Sequence, residues 1–179
     1  METPKPQQRW TTWMWVGIVA LGASARLIPH PWNFTPLVAM GVFAGMQARR
    51  TGLAALVTLL SLALSDLVLG FYHGFWWIYA AALVPVLVGR LARNRAGVLG
   101  VVATVLGSSL FFFLASNFAV WAAGQIYPPT LAGLAACYVA AIPFYGNQLA
   151  GDAFYAVLLF GGYSLLTRWM PRAPQPTAA

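Results

Sequence analysis

Acidic side chains are almost missing from this chain. Glu2, Asp66 and Asp152 stand against ten Lys and Arg in 179 residues, and charged residues make up only 7% of the whole. An ordinary soluble domain carries about 25%. A soluble chain of this length could not cover its surface with so few charges, so lipid must solvate most of it. Cysteine is scarce too: Cys137 stands alone, which excludes an intramolecular disulfide and any paired-Cys metal motif. The chain has no phosphate-binding Gly-rich loop, no HExxH, no CxxC and no grouping of a nucleophile with a base. These absences argue against an enzyme, a catalytic set, a structural metal and a bound cofactor. The net charge of +7 does not point to nucleic acid, because the basic residues form no stripe interleaved with base-stacking aromatics. Anchoring by anionic headgroups accounts for them better, which makes membrane lipids a partner.

Long apolar runs dominate what remains. Hydrophobic residues are 60% of the chain, and of six runs, 11–28, 37–48, 53–71, 76–91, 97–123 and 148–169, all but the second approach the roughly 20 residues that cross a bilayer. Short basic clusters separate them, namely Lys5 with Arg9, Arg49 with Arg50, Arg90 with Arg93 and Arg95, and Arg168 with Arg172. Every second connection is therefore basic. Lys and Arg are retained on the cytoplasmic side, so the pattern predicts an all-α, six-helix protein of the bacterial inner membrane with both termini in the cytoplasm. It divides into a cytoplasmic tail over 1–10, a transmembrane domain over 11–169 and a disordered cytoplasmic tail over 170–179. The run 37–48 is short, and 33–36 lengthens it; its Gly41 and Gly45 form a GxxxG pair that lets another helix approach closely. The segment 131–142 has no basic flank and reads as a helical loop capping the outer face, with a chain break at 143–147 before the last helix. Ala23-Ser24-Ala25 after a basic start also resembles a signal-peptide cleavage site, but Trp13 and Trp15 fit interface anchors of a retained helix better.

In this topology the polar residues gather near the outer ends of the helices. Arg26 and His30 follow helix 1, and Asn33 precedes helix 2. Asp66 and His73 lie at the end of helix 3, Asn117 and Trp121 on helix 5, and Asn147 and Asp152 at the start of helix 6. An ionised side chain in hydrocarbon needs a partner or a watery cavity. In the plain reading Arg26 pairs with one aspartate and locks the helices together. In the sharper reading the other aspartate, left without a cation, contacts a solute. Spacing supports shared faces: Gln148, Asp152 and Tyr155 fall at i, i+4, i+7, and Asn117 and Trp121 at i, i+4. Asp66, Gly70 and His73 align as well if helix 3 continues that far. His30, His73 and Cys137 share this side, but their spacing matches no zinc motif.

The segments Arg26-Leu-Ile-Pro-His-Pro-Trp-Asn-Phe-Thr-Pro36, Ser65-Asp66-Leu-Val-Leu-Gly70-Phe-Tyr-His73, Ser116-Asn117-Phe-Ala-Val-Trp121 and Ile142-Pro-Phe-Tyr-Gly-Asn147 resemble an uncharacterised family of small bacterial membrane proteins described as transport proteins. That family is related to the substrate-binding S components of energy-coupling factor (ECF) vitamin transporters. The resemblance implies a six-helix protein that captures a vitamin-like solute near the outer face. The loop 29–36 would lie over the site, with the segment between helices 5 and 6 as a second lid. It also implies docking, through small residues of helix 1, to a transmembrane energising subunit with ATPases. Helix 1 offers Ala20-Leu-Gly-Ala-Ser24 rather than the usual AxxxA, and the chain carries no ATP-binding motif of its own. Besides a membrane enzyme with a lipid-derived substrate, which is the minority reading, two other readings stand beside capture. One is a solitary proton- or cation-coupled carrier in which Asp66 and Asp152 titrate, and the other is a membrane scaffold with no solute.

Overall fold

A computed structural model describes residues 6–95 and 97–169. Among the described residues there is no strand. The helices are α1 (Pro6–Leu27), α2 (Leu37–Gln47), α3 (Thr51–Leu69), α4 (Phe75–Leu91), α5 (Val98–Ala122), α6 (Leu131–Ala156) and α7 (Gly162–Trp169), with a π-helical turn at Val157–Gly161 joining the last two. α6, the π turn and α7 run on without interruption, so the described residues form six helical rods. α3, α5 and the rod Leu131–Trp169 are each long and apolar enough to cross a membrane, and α2 and α4 are shorter apolar helices. This is the build of a membrane protein. Large apolar side chains remain exposed along the long helices, among them Leu64 and Leu67 on α3, Leu106 and Leu110 on α5, and Val157 and Leu158 after α6.

α2 forms the centre. Its residues from Leu37 to Met46 are all buried, as expected of a helix that is apolar on every side. α3, α4, α5 and α6 all pack on it, α4 most extensively. The α2–α4 crossing is close because glycines meet backbone there. A Cβ at Gly45 would strike the Val86 carbonyl, and one at Gly89 would strike the Val42 carbonyl. Gly41 and Gly45 thus supply the close approach their spacing predicts. Arg90 Nη1 donates to the Ala48 carbonyl oxygen at 3.0 Å and serves the carboxyl end of α2. On the other side α1 lies along α3, with Gly22 against Ser61 and Met40 and the Ser61 hydroxyl 3.3 Å from the Val19 carbonyl oxygen.

The sequence expectation fails at three boundaries. The segment 131–142 is not a cap and 143–147 is not a break: α6 starts at Leu131 and passes through Pro143. The Thr130 hydroxyl accepts from Gly133 N at 3.1 Å and so starts the helix. The first half of α6 then runs antiparallel along α5, where Tyr138 donates to the Leu114 carbonyl at 2.7 Å and the Phe113 and Tyr145 rings lie 4.5 Å apart. One proline removes one backbone bond, and in a membrane helix neighbouring groups make good the loss. α1 begins at Pro6, so residues 6–10 of the expected tail are helical; proline is well suited to a first helical position. Residues 1–5 and 170–179 of the two expected tails lie outside the described residues. Finally, α3 ends at Leu69, followed by Gly70 at φ 91° and then Gly74 at φ 81°. His73 therefore does not continue the face of Asp66.

Candidate functional site

The buried face of α3 is built from small polar residues whose hydroxyls are satisfied within the helix. Thr58 donates to Ala54 O at 3.1 Å, and Ser65 lies 2.8 Å from Leu62 O and 3.1 Å from Ser61 O. Their small size lets α1 come near enough for Arg26 to reach across. Arg26 Nη2 lies 2.8 Å from Asp66 Oδ1, and Nη1 donates to Ser65 Oγ and, at 3.4 Å, to Leu62 O. From α4, Tyr79 donates its hydroxyl to Asp66 Oδ2 at 2.9 Å. Oδ2 of Asp66 is thus hydrogen-bonded and Oδ1 has the Arg26 charge beside it without an aligned hydrogen bond, and the side chain is 1% exposed against 17% for Arg26. The hollow beside Arg26, between Gly22, Met40 and Ser61, is too small to admit a water. Arg26 has chosen Asp66 rather than Asp152, and the result ties α1, α3 and α4 together. In the connection after α3, burial and then the Asp66 charge push the Tyr72 phenol above its ordinary range, so it stays protonated.

The second acid lies elsewhere. Asp152 on α6 is 1% exposed, and neither carboxylate oxygen has a hydrogen-bond partner among the described residues. The Ser109 hydroxyl of α5 and the Ala39 backbone N–H in the first turn of α2 lie beside it. Neither makes an aligned bond. One turn earlier, Gln148 Nε2 donates to Ser109 Oγ at 2.8 Å and to Ser109 O at 2.9 Å. Ser108 is also fully buried, and its Oγ is unpartnered. No side chain caps the amino end of α2. Gly151 abuts the backbone of Phe34 and Thr35, so the α1–α2 loop covers this part of α6.

The remaining expected residues do not join either cluster. His30 Nδ1 is 2.8 Å from Pro31 O within its own loop, and Asn33 is exposed at φ 64°, where it shapes that loop. His73 is exposed in the α3–α4 connection. Asn117 Nδ2 donates to Phe113 O of its own helix at 2.8 Å, while Trp121 Nε1 donates to Pro128 O at 3.1 Å and closes the α5–α6 turn. Asn147 is half-buried one residue before Gln148. Of the nine, only Arg26 and Asp66 bond to one another. Among the described residues no three His, Cys, Asp or Glu side chains come together as metal ligands. Sequence reasoning passed over Ser65, Tyr79 and Ser109 as polar partners. Tyr79 shares a helical face with the buried Ala82 and Val86, and that i, i+3, i+7 spacing was the available signal.

An all-helical membrane protein with one neutralised and one unpartnered buried acid is the class that these features define. The chain belongs to a family of unknown function, DUF6580, which it matches over residues 6–175. No curated protein and no solved structure matches it.

Proposed function

We propose that the chain is a multi-pass transport protein of the bacterial inner membrane, with both termini in the cytoplasm, that captures a small vitamin-like solute from the extracytoplasmic side in the manner of an ECF S component. The observation that carries this reading is Asp152, a fully buried carboxylate with no cation and no aligned hydrogen-bond donor among the described residues. Ionisable groups at membrane depth are costly and mark solute or ion pathways. Asp66 differs in that it already has a cation in Arg26 and a hydrogen-bond donor in Tyr79. Its cluster is then the rigid wall, and Asp152 with Gln148 is the contact. The α1–α2 loop, which bears His30 and Asn33, is the entrance, and solute passes it to reach Asp152 behind Gly151. Asn117, Trp121 and Asn147 line the α5–α6 side of the approach. Ala20 and Ser24 are exposed on α1, so a transmembrane energising subunit has a small-residue surface to meet.

The test is mass spectrometry of small molecules released from gently purified protein. The expected result is one vitamin-like compound near a one-to-one ratio, lost in Asp152→Ala and Gln148→Ala proteins that still insert. A blank, with a protein co-purifying in its place, overturns capture in favour of the scaffold.

A further inference from the structure

The surroundings of Asp152 say which ion it can hold. α6 packs there on α2 and α5, and neither of those helices carries a titratable or charged side chain. On α6 itself the other titratable groups are Cys137, Tyr138, Tyr145 and Tyr155, and the loop over Gly151 contributes His30. Among the described residues no cation pairs with this carboxylate, and Arg26 is engaged with Asp66. A buried carboxylate in that position either finds a counter-charge or takes up a proton.

A metal ion fits poorly. Hard cations demand six or more oxygen ligands, whereas the walls here present donors. The Ala39 N–H lies beside the carboxylate, and Gln148 turns its Nε2 toward Ser109, occupying both oxygens of that residue. A proton needs one oxygen. It also removes the buried charge and leaves a neutral carboxyl in uncharged surroundings.

We propose that Asp152 binds an exchangeable proton inside the membrane domain. The proposal concerns the carboxylate that the capture reading assigns to solute contact, and the proton does not depend on that reading. In the loading step water beneath the α1–α2 loop delivers H+ to one carboxylate oxygen; in the unloading step the O–H bond breaks and the proton leaves by the opened path. Charge balances as carboxylate plus proton against neutral carboxyl. The π turn at Val157–Gly161 begins five residues beyond Asp152, and such turns recur at functional sites.

The experiment is infrared difference spectroscopy of the purified protein in lipid nanodiscs, titrated through neutral pH. With Glu2, Asp66 and Asp152 as the side-chain carboxyls, the carboxylic C=O stretch is readily assigned. The expected result is a protonated-carboxyl band at neutral pH that disappears on alkalinisation, is lost in Asp152→Asn and is shifted in Asp152→Glu. Asp152→Asn should fold as well as the wild type, because the amide copies the neutral acid. A spectrum without the band at neutral pH, or a band that survives in Asp152→Asn, overturns the proposal. Either outcome leaves capture to be judged by the released-molecule measurement, so the two readings fail separately.

Discussion

Arg26 on α1 and Asp66 on α3 meet at 2.8 Å in the interior, 40 positions apart in the chain, and Tyr79 on α4 closes the shell at 2.9 Å. Three helices that share no local sequence are thereby held in one register. A buried pair is not strong evidence of net stability, since desolvation offsets much of the attraction. Its weight lies in the asymmetry between keeping both partners and losing one.

That asymmetry can be measured. Replacing Asp66 by Ala leaves a guanidinium without its counter-charge, and breaking a buried pair from one side costs about 3–5 kcal/mol. Thermal unfolding in detergent should fall accordingly for Asp66→Ala and for Arg26→Ala. The double replacement Arg26→Met with Asp66→Leu should recover much of the loss. Additive losses in the double variant would show that the pair does not act as a unit.

Tyr79→Phe isolates the third member. It removes only the donor to Asp66 Oδ2 and leaves a buried acceptor unsatisfied, at a cost of about 1–3 kcal/mol. Tyr72→Phe, in the exposed connection after α3, should stay within about 0.5 kcal/mol of the wild type. Equal effects at the two positions would show that the Tyr79 hydroxyl contributes nothing particular.

The α2–α4 contact offers a third measurement. Ala at Gly45 or Gly89 drives a methyl into the facing backbone carbonyl. Backbone cannot turn aside as a side chain can, so the helices must separate, at about 1–3 kcal/mol each. Gly107→Ala has open space around it and removes a helix-weakening glycine, so it should be neutral or stabilising by up to about 1 kcal/mol. Gly45→Ala as stable as Gly107→Ala would contradict the close crossing.

How far the sequence was readable follows from which forces act locally. The apolar runs gave α1 to α5 to within a few residues, because burial in lipid demands length and composition that are visible in one dimension. Gly41 and Gly45 announced the close crossing for the same reason: small size at i, i+4 is a local fact. Pro143 misled because its cost depends on what surrounds it, and α5 was not visible beside it. The partner of Arg26 was ambiguous between two aspartates, since only the packing of α1 on α3 decides it. The expected gathering of nine residues at helix ends did not predict their contacts, and Asn147 and Asp152, expected at the start of the last helix, lie in the interior of the rod Leu131–Trp169. Asn117 and Trp121 spend their donors on Phe113 and Pro128, a choice that composition cannot reveal.

The hairpin of α5 and α6, where the sequence expectation failed, has a direct chemical test. The Cys137 thiol donates to the Asn117 carbonyl at 3.4 Å, so a second cysteine at residue 117 places two sulfurs on facing backbone. Disulfides form where the Cα atoms approach within about 4.4–6.8 Å. Cys137 is the chain's single native cysteine, and any bond formed in Asn117→Cys is therefore unambiguous. Mild oxidation of membranes holding that variant should block thiol labelling at both positions and compact the protein on a non-reducing gel. Phe118→Cys, one residue on and turned outward with half of its side chain exposed, should remain labelled. If 131–142 instead lay across the end of the bundle as a cap, residue 137 would leave the side of α5, and oxidation would protect neither thiol in the Asn117→Cys protein.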